Sequence, residues 1–151
     1  MDDGPTANFV AGQLVACYDY SCEKYNDTTS RWTRIAYTRS DRRFHSSAQH
    51  ADRILLIGGL DSNSTEWMST DGGDPQIGPW IARHGHSHCT IQVSSDLIVV
   101  TGGSGTYDYV TEYQLTGDAT ETVMTSLING RREHACGVYR EAGGQQVRIS
   151  W

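Results

Sequence analysis

Three copies of an Arg-x-x-His element divide the chain and constrain its fold more than any other feature of the sequence. The elements run from Arg42 to His45, from Arg83 to His86 and from Arg131 to His134. Their arginines are 41 and then 48 residues apart in the 151-residue chain. Self-similarity at such a period indicates a fold built from stacked supersecondary units, each of which cannot bury its apolar face alone.

The two units that begin at Arg42 and Arg83 each contain a Gly-Gly pair that follows an apolar run. The two pairs are Gly58-Gly59 and Gly102-Gly103, and they are 44 residues apart. Each pair precedes a polar loop and then a Glu with an aromatic residue, Glu66-Trp67 and Glu112-Tyr113. The unit is therefore interpreted as strand, turn, apolar strand, Gly-Gly, loop, strand, loop, strand, without a helical periodicity. Four-stranded units of this length predict an all-β fold made of β-propeller blades.

These residues resemble the kelch repeat, which is marked by an Arg or His before the first strand, a Gly-Gly, an aromatic and a Trp. Segment 37–82 carries every mark, with Trp80 as the Trp of the fourth strand. Segment 83–130 lacks only that Trp, and Met124 is interpreted as filling its place. Segment 1–36 reads as a partial blade with second to fourth strands, and segment 131–151 as the start of a further blade. The resemblance implies a partial kelch-type β-propeller with two full blades and two partial ones.

The kelch resemblance implies a non-enzymatic protein–protein binding module whose contacts come from loops at one face of the disc. Arg and Tyr are enriched at binding hot spots. The candidate contacts are Arg39, Arg43, Asp61, Asn63, Tyr107, Asp108 and Tyr109. The recurring residues are interpreted instead as structural: Arg42, His45, Gly58, Gly59, Arg83, His86, Gly102, Gly103, Arg131 and His134.

Composition and motifs exclude several other classes of function. A net charge of −6 argues against nucleic-acid binding, which needs a basic face. No apolar run approaches the roughly 20 residues of a membrane span. Galactose oxidase has a kelch-like propeller, so a related copper enzyme is a second, less favoured alternative. The spacing singles out no Tyr and Cys pair as its copper site. His84, His86 and His88 alternate in the sequence, and we interpret His86 as structural rather than as a metal ligand. We therefore expect neither an enzyme nor a cofactor.

The four cysteines are compatible with either an extracellular or an intracellular location. Cys17 and Cys22 lie on adjacent predicted strands, and Cys89 and Cys136 lie in first strands of adjacent blades. Two disulfides would place the protein outside the cell, and four buried thiols would place it inside. Two glycosylation sequons, Asn26-Asp27-Thr28 and Asn63-Ser64-Thr65, slightly favour the outside.

Two functional readings follow from these alternatives. The first is a fragment of a larger extracellular or cell-surface protein that binds a protein partner. The second is a cytoplasmic adaptor that recruits substrates to a ubiquitin ligase or binds actin. The N-terminus lacks the basic start and apolar stretch of a signal peptide. Closed propellers have about 4–8 blades, so we also expect self-association that covers the open blade edges.

Overall fold

A computed structural model describes residues 5–60, 62–80, 85–105, 107–116, 120–133, 135–140 and 147–150. These residues contain 14 strands, arranged as three four-stranded antiparallel sheets and a two-stranded one. In every four-stranded sheet the strands pair in chain order. The strands are β1 Thr6–Val10, β2 Gln13–Cys17, β3 Ser21–Asn26, β4 Arg31–Tyr37, β5 Ser46–His50, β6 Arg53–Ile57, β7 Thr65–Ser69, β8 Gln76–Ile77, β9 Cys89–Gln92, β10 Leu97–Thr101, β11 Val110–Gln114, β12 Thr120–Val123, β13 Gly137–Arg140 and β14 Val147–Ser150.

The sheets stack face to face through their first two strands. Strand β5 lies against both β1 and β9, and β13 lies beside β9. The fold is thus all-β, with three sheets that resemble consecutive propeller blades. This confirms the fold class predicted from the sequence.

The apolar run of β6 is buried on both faces of its sheet. Ile54 and Leu56 pack against the first sheet, whereas Leu55 and Ile57 pack against the third. All four side chains have 0% exposure. Successive side chains of a strand point to opposite faces, so a strand between two sheets needs an unbroken apolar sequence. Strand β10 repeats this arrangement, because Ile98 and Val100 face the second sheet and Val99 faces the other side.

The first sheet contains a strand that the sequence interpretation did not include. Segment 1–36 was expected to supply only second to fourth strands, but Thr6–Val10 forms β1 and pairs with β2 along its whole length. The strand has a weak apolar pattern, because Val10 is buried while Phe9 is 66% exposed. The described residues therefore form three four-stranded sheets rather than two, followed by the β13–β14 hairpin.

The fourth strands also differ from the prediction. Trp80 follows β8 rather than opening it and is 71% exposed. Strand β8 ends at Ile77, close to Pro79, which has no amide hydrogen to extend a ladder. Met124 likewise follows β12 and is 44% exposed. Neither side chain fills the interior place that the kelch resemblance assigned to it.

The connections between sheets repeat a single backbone conformation. Phe44, Ser87 and Glu133 have φ angles of 59°, 58° and 53°, which are uncommon for residues other than Gly. The Ser87 amide donates to the Phe44 carbonyl oxygen, and the Glu133 amide donates to that of Ser87. The three residues are therefore equivalent. The residue equivalent to His45 is consequently His88, so the structure shifts this repeat by two residues from the Arg83–His86 alignment.

The Gly-Gly pairs allow each sheet to contact the connection that leads to the next one. Gly58 has a φ of +64°, and a Cβ there would overlap with the Gly85 carbonyl oxygen. That oxygen accepts a hydrogen bond from the Gly59 amide at 2.8 Å. The Gly103 amide donates to the Arg131 carbonyl oxygen in the same way, at 2.9 Å. The absence of a side chain thus permits the close approach of two backbone segments.

Gly58→Ala should destabilise the protein far more than Gly12→Ala. Gly12 also has a positive φ, of +77°, but its added Cβ would meet no atom within 4 Å. We expect Gly12→Ala to lower the free energy of unfolding by about 1 kcal/mol and Gly58→Ala by about 3 kcal/mol or more. Urea unfolding followed by circular dichroism measures both values. Equal losses would show that the contact with Gly85 is unimportant.

Candidate functional site

The Arg42 side chain is fully buried and ties together three segments of the second blade. Its Nε donates to Glu66 Oε1 at 2.8 Å, and its Nη1 donates to the Gly58 carbonyl oxygen at 2.8 Å. Its Nη2 donates to Ser64 Oγ at 3.0 Å and also contacts Glu66. Arg42 and Glu66 are 0% and 2% exposed. We call this pair and its partners the Arg42 latch.

The third blade carries uncharged residues at the backbone positions equivalent to Arg42 and Glu66. The ladders β6–β7 and β10–β11 place Thr111, rather than Glu112, at the position of Glu66. The equivalence of Phe44 and Ser87 places Gly85 at the position of Arg42.

Removing one member of the Arg42 latch should cost more stability than removing both. We expect Arg42→Met and Glu66→Leu each to lower the free energy of unfolding by about 3–5 kcal/mol, because each leaves an uncompensated buried charge. The double variant should lose less than either single variant. A double-mutant cycle from urea unfolding measures the coupling. Additive losses would contradict this account of the pair.

His45 joins the second blade to the first. Its Nδ1 lies 2.6 Å from the Arg42 carbonyl oxygen, and its Nε2 lies 2.7 Å from Thr6 Oγ1. Burial lowers the pKa of His45 to about 4. The hydrogen bond to the Arg42 carbonyl oxygen opposes this shift, the Arg42 charge adds to it, and the Glu66 charge opposes it. The ring is therefore neutral at pH 7, and its two hydrogen bonds join β5 and its preceding connection to β1.

Because of His45, the free energy of unfolding should be lower in mild acid than at pH 7. The unfolded chain binds a proton at His45 near pH 6.5, while the folded chain does so only near pH 4. Stability is therefore lost as the pH falls through this window, by about 3 kcal/mol between pH 7 and pH 4. Unfolding titrations of wild type and His45→Gln at several pH values measure the difference. Parallel pH profiles for the two proteins would contradict the assignment.

The loops after the second strands and the connections between sheets meet at one end of the sheets, which we call the loop face. Its first part is a polar cluster of Tyr20, Asp41 and Arg43. Tyr20 Oη donates to Asp41 Oδ2 at 2.9 Å, and Arg43 Nε donates to the same oxygen at 2.9 Å. The Leu60 amide donates to the Arg43 carbonyl oxygen, which joins this cluster to the β6–β7 loop.

The carboxylate of Asp41 keeps its charge over a wide pH range. Burial would raise the pKa of Asp41, but hydrogen bonds from the Arg43 amide, the Arg43 guanidinium and Tyr20 hold it below its usual value. The hydrogen bond to Asp41 raises the pKa of Tyr20. The cluster is therefore a fixed arrangement of a carboxylate, a guanidinium and a phenol.

The loop face continues across the third blade. The rings of Phe44 and His86 are 6.0 Å apart, and the Ser104 amide donates to the His86 carbonyl oxygen at 2.9 Å. The Tyr107 carbonyl oxygen accepts from the Arg131 amide, and a Cβ at Gly130 would contact the Tyr107 side chain. Backbone contacts therefore join the loop of each blade to the connection beside it.

The predicted contact residues have different locations on this framework. Arg43 lies in the polar cluster, while Tyr107 and Asp108 are exposed beside the connection after β12. Asn63 is exposed in the β6–β7 loop, and Tyr109 is half-buried. The Arg39 amide donates to Glu66 Oε2, while its guanidinium reaches the Pro75 carbonyl oxygen at the outer edge of the second sheet. Three predicted site or repeat residues lie outside the described part of the chain: Asp61, Arg83 and His134.

The sequence interpretation missed several residues of the loop face. Tyr20 is 58% exposed and Leu60 is 37% exposed, and neither was among the predicted contacts. Tyr20 lies in the loop of the first blade, which has Tyr18 where the other blades have the first Gly of the pair. Alignment of that loop with the two Gly-Gly loops would have revealed Tyr20.

All four cysteines form disulfides. Cys17 and Cys22 face each other across the β2–β3 ladder, with Cα atoms 4.1 Å apart. Cys89 at the start of β9 is bonded to Cys136 just before β13, which fastens the third sheet to the hairpin. The structure thus selects the disulfide alternative that the sequence left open.

Metal-ligand geometry and membrane-spanning helices are both absent from the described residues. Within this part of the chain, no three His, Cys, Asp or Glu side chains come together as a metal site. His88 is buried and His86 is half-buried, while His84 lies outside the described residues. The same part of the chain contains no helix long and apolar enough to cross a membrane.

Comparison with known proteins identifies the fold. No family model and no curated protein sequence matches the chain. Among solved structures, the chain is similar to YjhT, a kelch-repeat protein, with a TM-score of 0.79 and 13% sequence identity. The match covers 91% of this chain but only 56% of YjhT, so the chain spans little more than half of that protein. The chain therefore has the fold of part of a kelch-like β-propeller.

Proposed function

We propose that this chain belongs to a non-enzymatic, kelch-type protein-binding module that works outside the cell or at its surface. The observation that carries this proposal is the loop face, which presents Tyr20 and Leu60 beside the charged pair Asp41 and Arg43 and exposes Tyr107 on the third blade. Exposed tyrosines beside a charged pair are typical of interface anchors.

The framework beneath the loop face favours binding because it limits the entropy lost on association. Backbone hydrogen bonds join Leu60 to Arg43, Ser104 to His86 and Arg131 to Tyr107. Loops that are already held in place lose less conformational freedom when a partner binds. The contacts are thus displayed from a fixed surface rather than from independent segments.

The disulfides favour the extracellular reading over the cytoplasmic adaptor. Both cysteine pairs are bonded, and disulfides persist in oxidising compartments. An adaptor that works in the cytosol would require four reduced thiols at these positions.

The self-association expected from the sequence stays a prediction. Phe9 and Leu14 expose 66% and 38% of their surfaces on the outer face of the first sheet. They line a shallow groove of about 530 Å³ together with Tyr25. Light scattering of the purified protein measures the oligomeric state.

Replacing two exposed tyrosines of the loop face should weaken partner binding without unfolding the protein. A partner is first captured from the source tissue by cross-linking to the wild-type chain and identified by mass spectrometry. We expect the Tyr20→Ala, Tyr107→Ala double variant to raise the Kd about tenfold or more. Trp32→Ala, which removes a 42% exposed aromatic elsewhere on the first sheet, is the matched control. An equal rise in the Kd for the Trp32→Ala control would show that the loop face is not the binding surface.

Protein from its native source should carry no free thiol. Alkylation with iodoacetamide before reduction should add no mass, because all four cysteines are paired. After reduction, four alkyl groups should be added. Four groups added without reduction would rule out the extracellular reading and favour the cytoplasmic adaptor, whether or not the loop face binds a partner.

A further inference from the structure

We propose that Asn26 is an N-glycosylation site and is the favoured acceptor of the two sequons in the chain. This inference rests on the proposed extracellular location, since N-glycosylation belongs to proteins that enter the secretory pathway. It concerns a different end of the molecule from the loop face. It therefore assigns a modification site that the binding proposal does not use.

The Asn26 sequon lies in an exposed hairpin turn. Asn26 ends β3, and residues 26–30 are all exposed. The Thr29 amide donates to Asn26 Oδ1 at 3.0 Å. This hydrogen bond uses the oxygen of the carboxamide and holds the side chain in one orientation at the turn. The hydroxyl-bearing residue of the sequon, Thr28, is exposed in the same turn.

The second sequon is less accessible than the first, because its Ser64 is hydrogen-bonded to Arg42 in the Arg42 latch. Asn63 is exposed, but Ser64 accepts hydrogen bonds from Arg42 through both its carbonyl oxygen and its hydroxyl. Thr65 is only 2% exposed, and its hydroxyl donates to the Pro79 carbonyl oxygen at 2.6 Å. Once the blade has folded, the residues that a transferase must recognise around Asn63 are therefore out of reach, whereas those around Asn26 stay accessible.

The position of Asn26 also keeps a glycan away from the proposed binding surface. The β3–β4 turn lies at the same end of the first sheet as the β1–β2 turn at Ala11 and Gly12. Because the strands are antiparallel and consecutive, the β2–β3 loop with Tyr20 lies at the opposite end. A glycan on Asn63, in contrast, would lie in the loop face itself.

The modification is a balanced group transfer from a polyprenyl-diphosphate-linked oligosaccharide. A new bond forms between Asn26 Nδ2 and C1 of the first sugar, while the bond between C1 and the diphosphate oxygen breaks. The lipid diphosphate is the leaving group, and one Nδ2 proton passes to a base of the transferase. No oxidant or reductant is required.

Expression of the full chain behind a cleavable secretion signal in cultured animal cells tests the proposal. Peptide mass spectrometry after peptide-N-glycosidase treatment in heavy-oxygen water measures the occupancy of each sequon. We expect higher occupancy at Asn26 than at Asn63. The glycan at Asn26 should be lost in Asn26→Gln and Thr28→Ala and kept in Thr28→Ser, which retains the sequon. Asn63→Gln should leave the glycosylation of Asn26 unchanged.

Two results would overturn the proposal: no glycan on Asn26 in the secreted wild-type protein, or lower occupancy at Asn26 than at Asn63. Alkylation of the same secreted samples without reduction reports whether both disulfides formed, so misfolded protein is recognised. Failure of the glycan proposal does not decide the binding function. Protein that lacks the glycan but has both disulfides can still be compared with the Tyr20→Ala, Tyr107→Ala variant for partner binding.

Discussion

The stacking of sheets that are apolar on both faces is the constraint on which the rest of the structure depends. The second strand of the middle sheet sends Ile54 and Leu56 one way and Leu55 and Ile57 the other, and all four are fully buried. Such a sheet cannot be stable in water without a neighbour on each side. The stacking then fixes the distance between one blade and the connection of the next, which is why Gly58 must lack a side chain.

Polar interactions specify this stacking at the end where the loops lie. The Arg42 latch brings the β6–β7 loop and the connection before β5 together, and His45 reaches back to Thr6 in the preceding sheet. Both are buried and hydrogen-bonded, so a shifted register between sheets would leave charged or polar atoms without partners. The same contacts that order the blades therefore also order the surface proposed to bind a partner.

The sequence predicted those parts of the fold that repeat. The all-β fold of four-stranded units follows from the spacing of the repeat, and the structure confirms it. Strand β1 was missed because its position in an end sheet leaves Phe9 exposed and weakens the apolar pattern. The third blade was aligned two residues out of register because the sequence contains both His86 and His88, and only the backbone contacts between connections show that His88 is equivalent to His45. The contacts of Tyr20 and Asp41 depend on two loops that are distant in sequence, and spacing alone does not reveal such pairs.

The bond between Cys89 and Cys136 has a consequence for the mechanical integrity of the chain. A two-stranded hairpin is only marginally stable alone, and β13–β14 is the smallest of the four sheets in the described part of the chain. The disulfide spans 47 residues and anchors this hairpin to the third sheet, whereas the Cys17–Cys22 bond closes a loop within one sheet. A reducing environment would thus release the C-terminal end first, while the stacked core of the earlier sheets stays assembled. The redox state of one bond then decides whether the β13–β14 hairpin stays fixed to the third sheet.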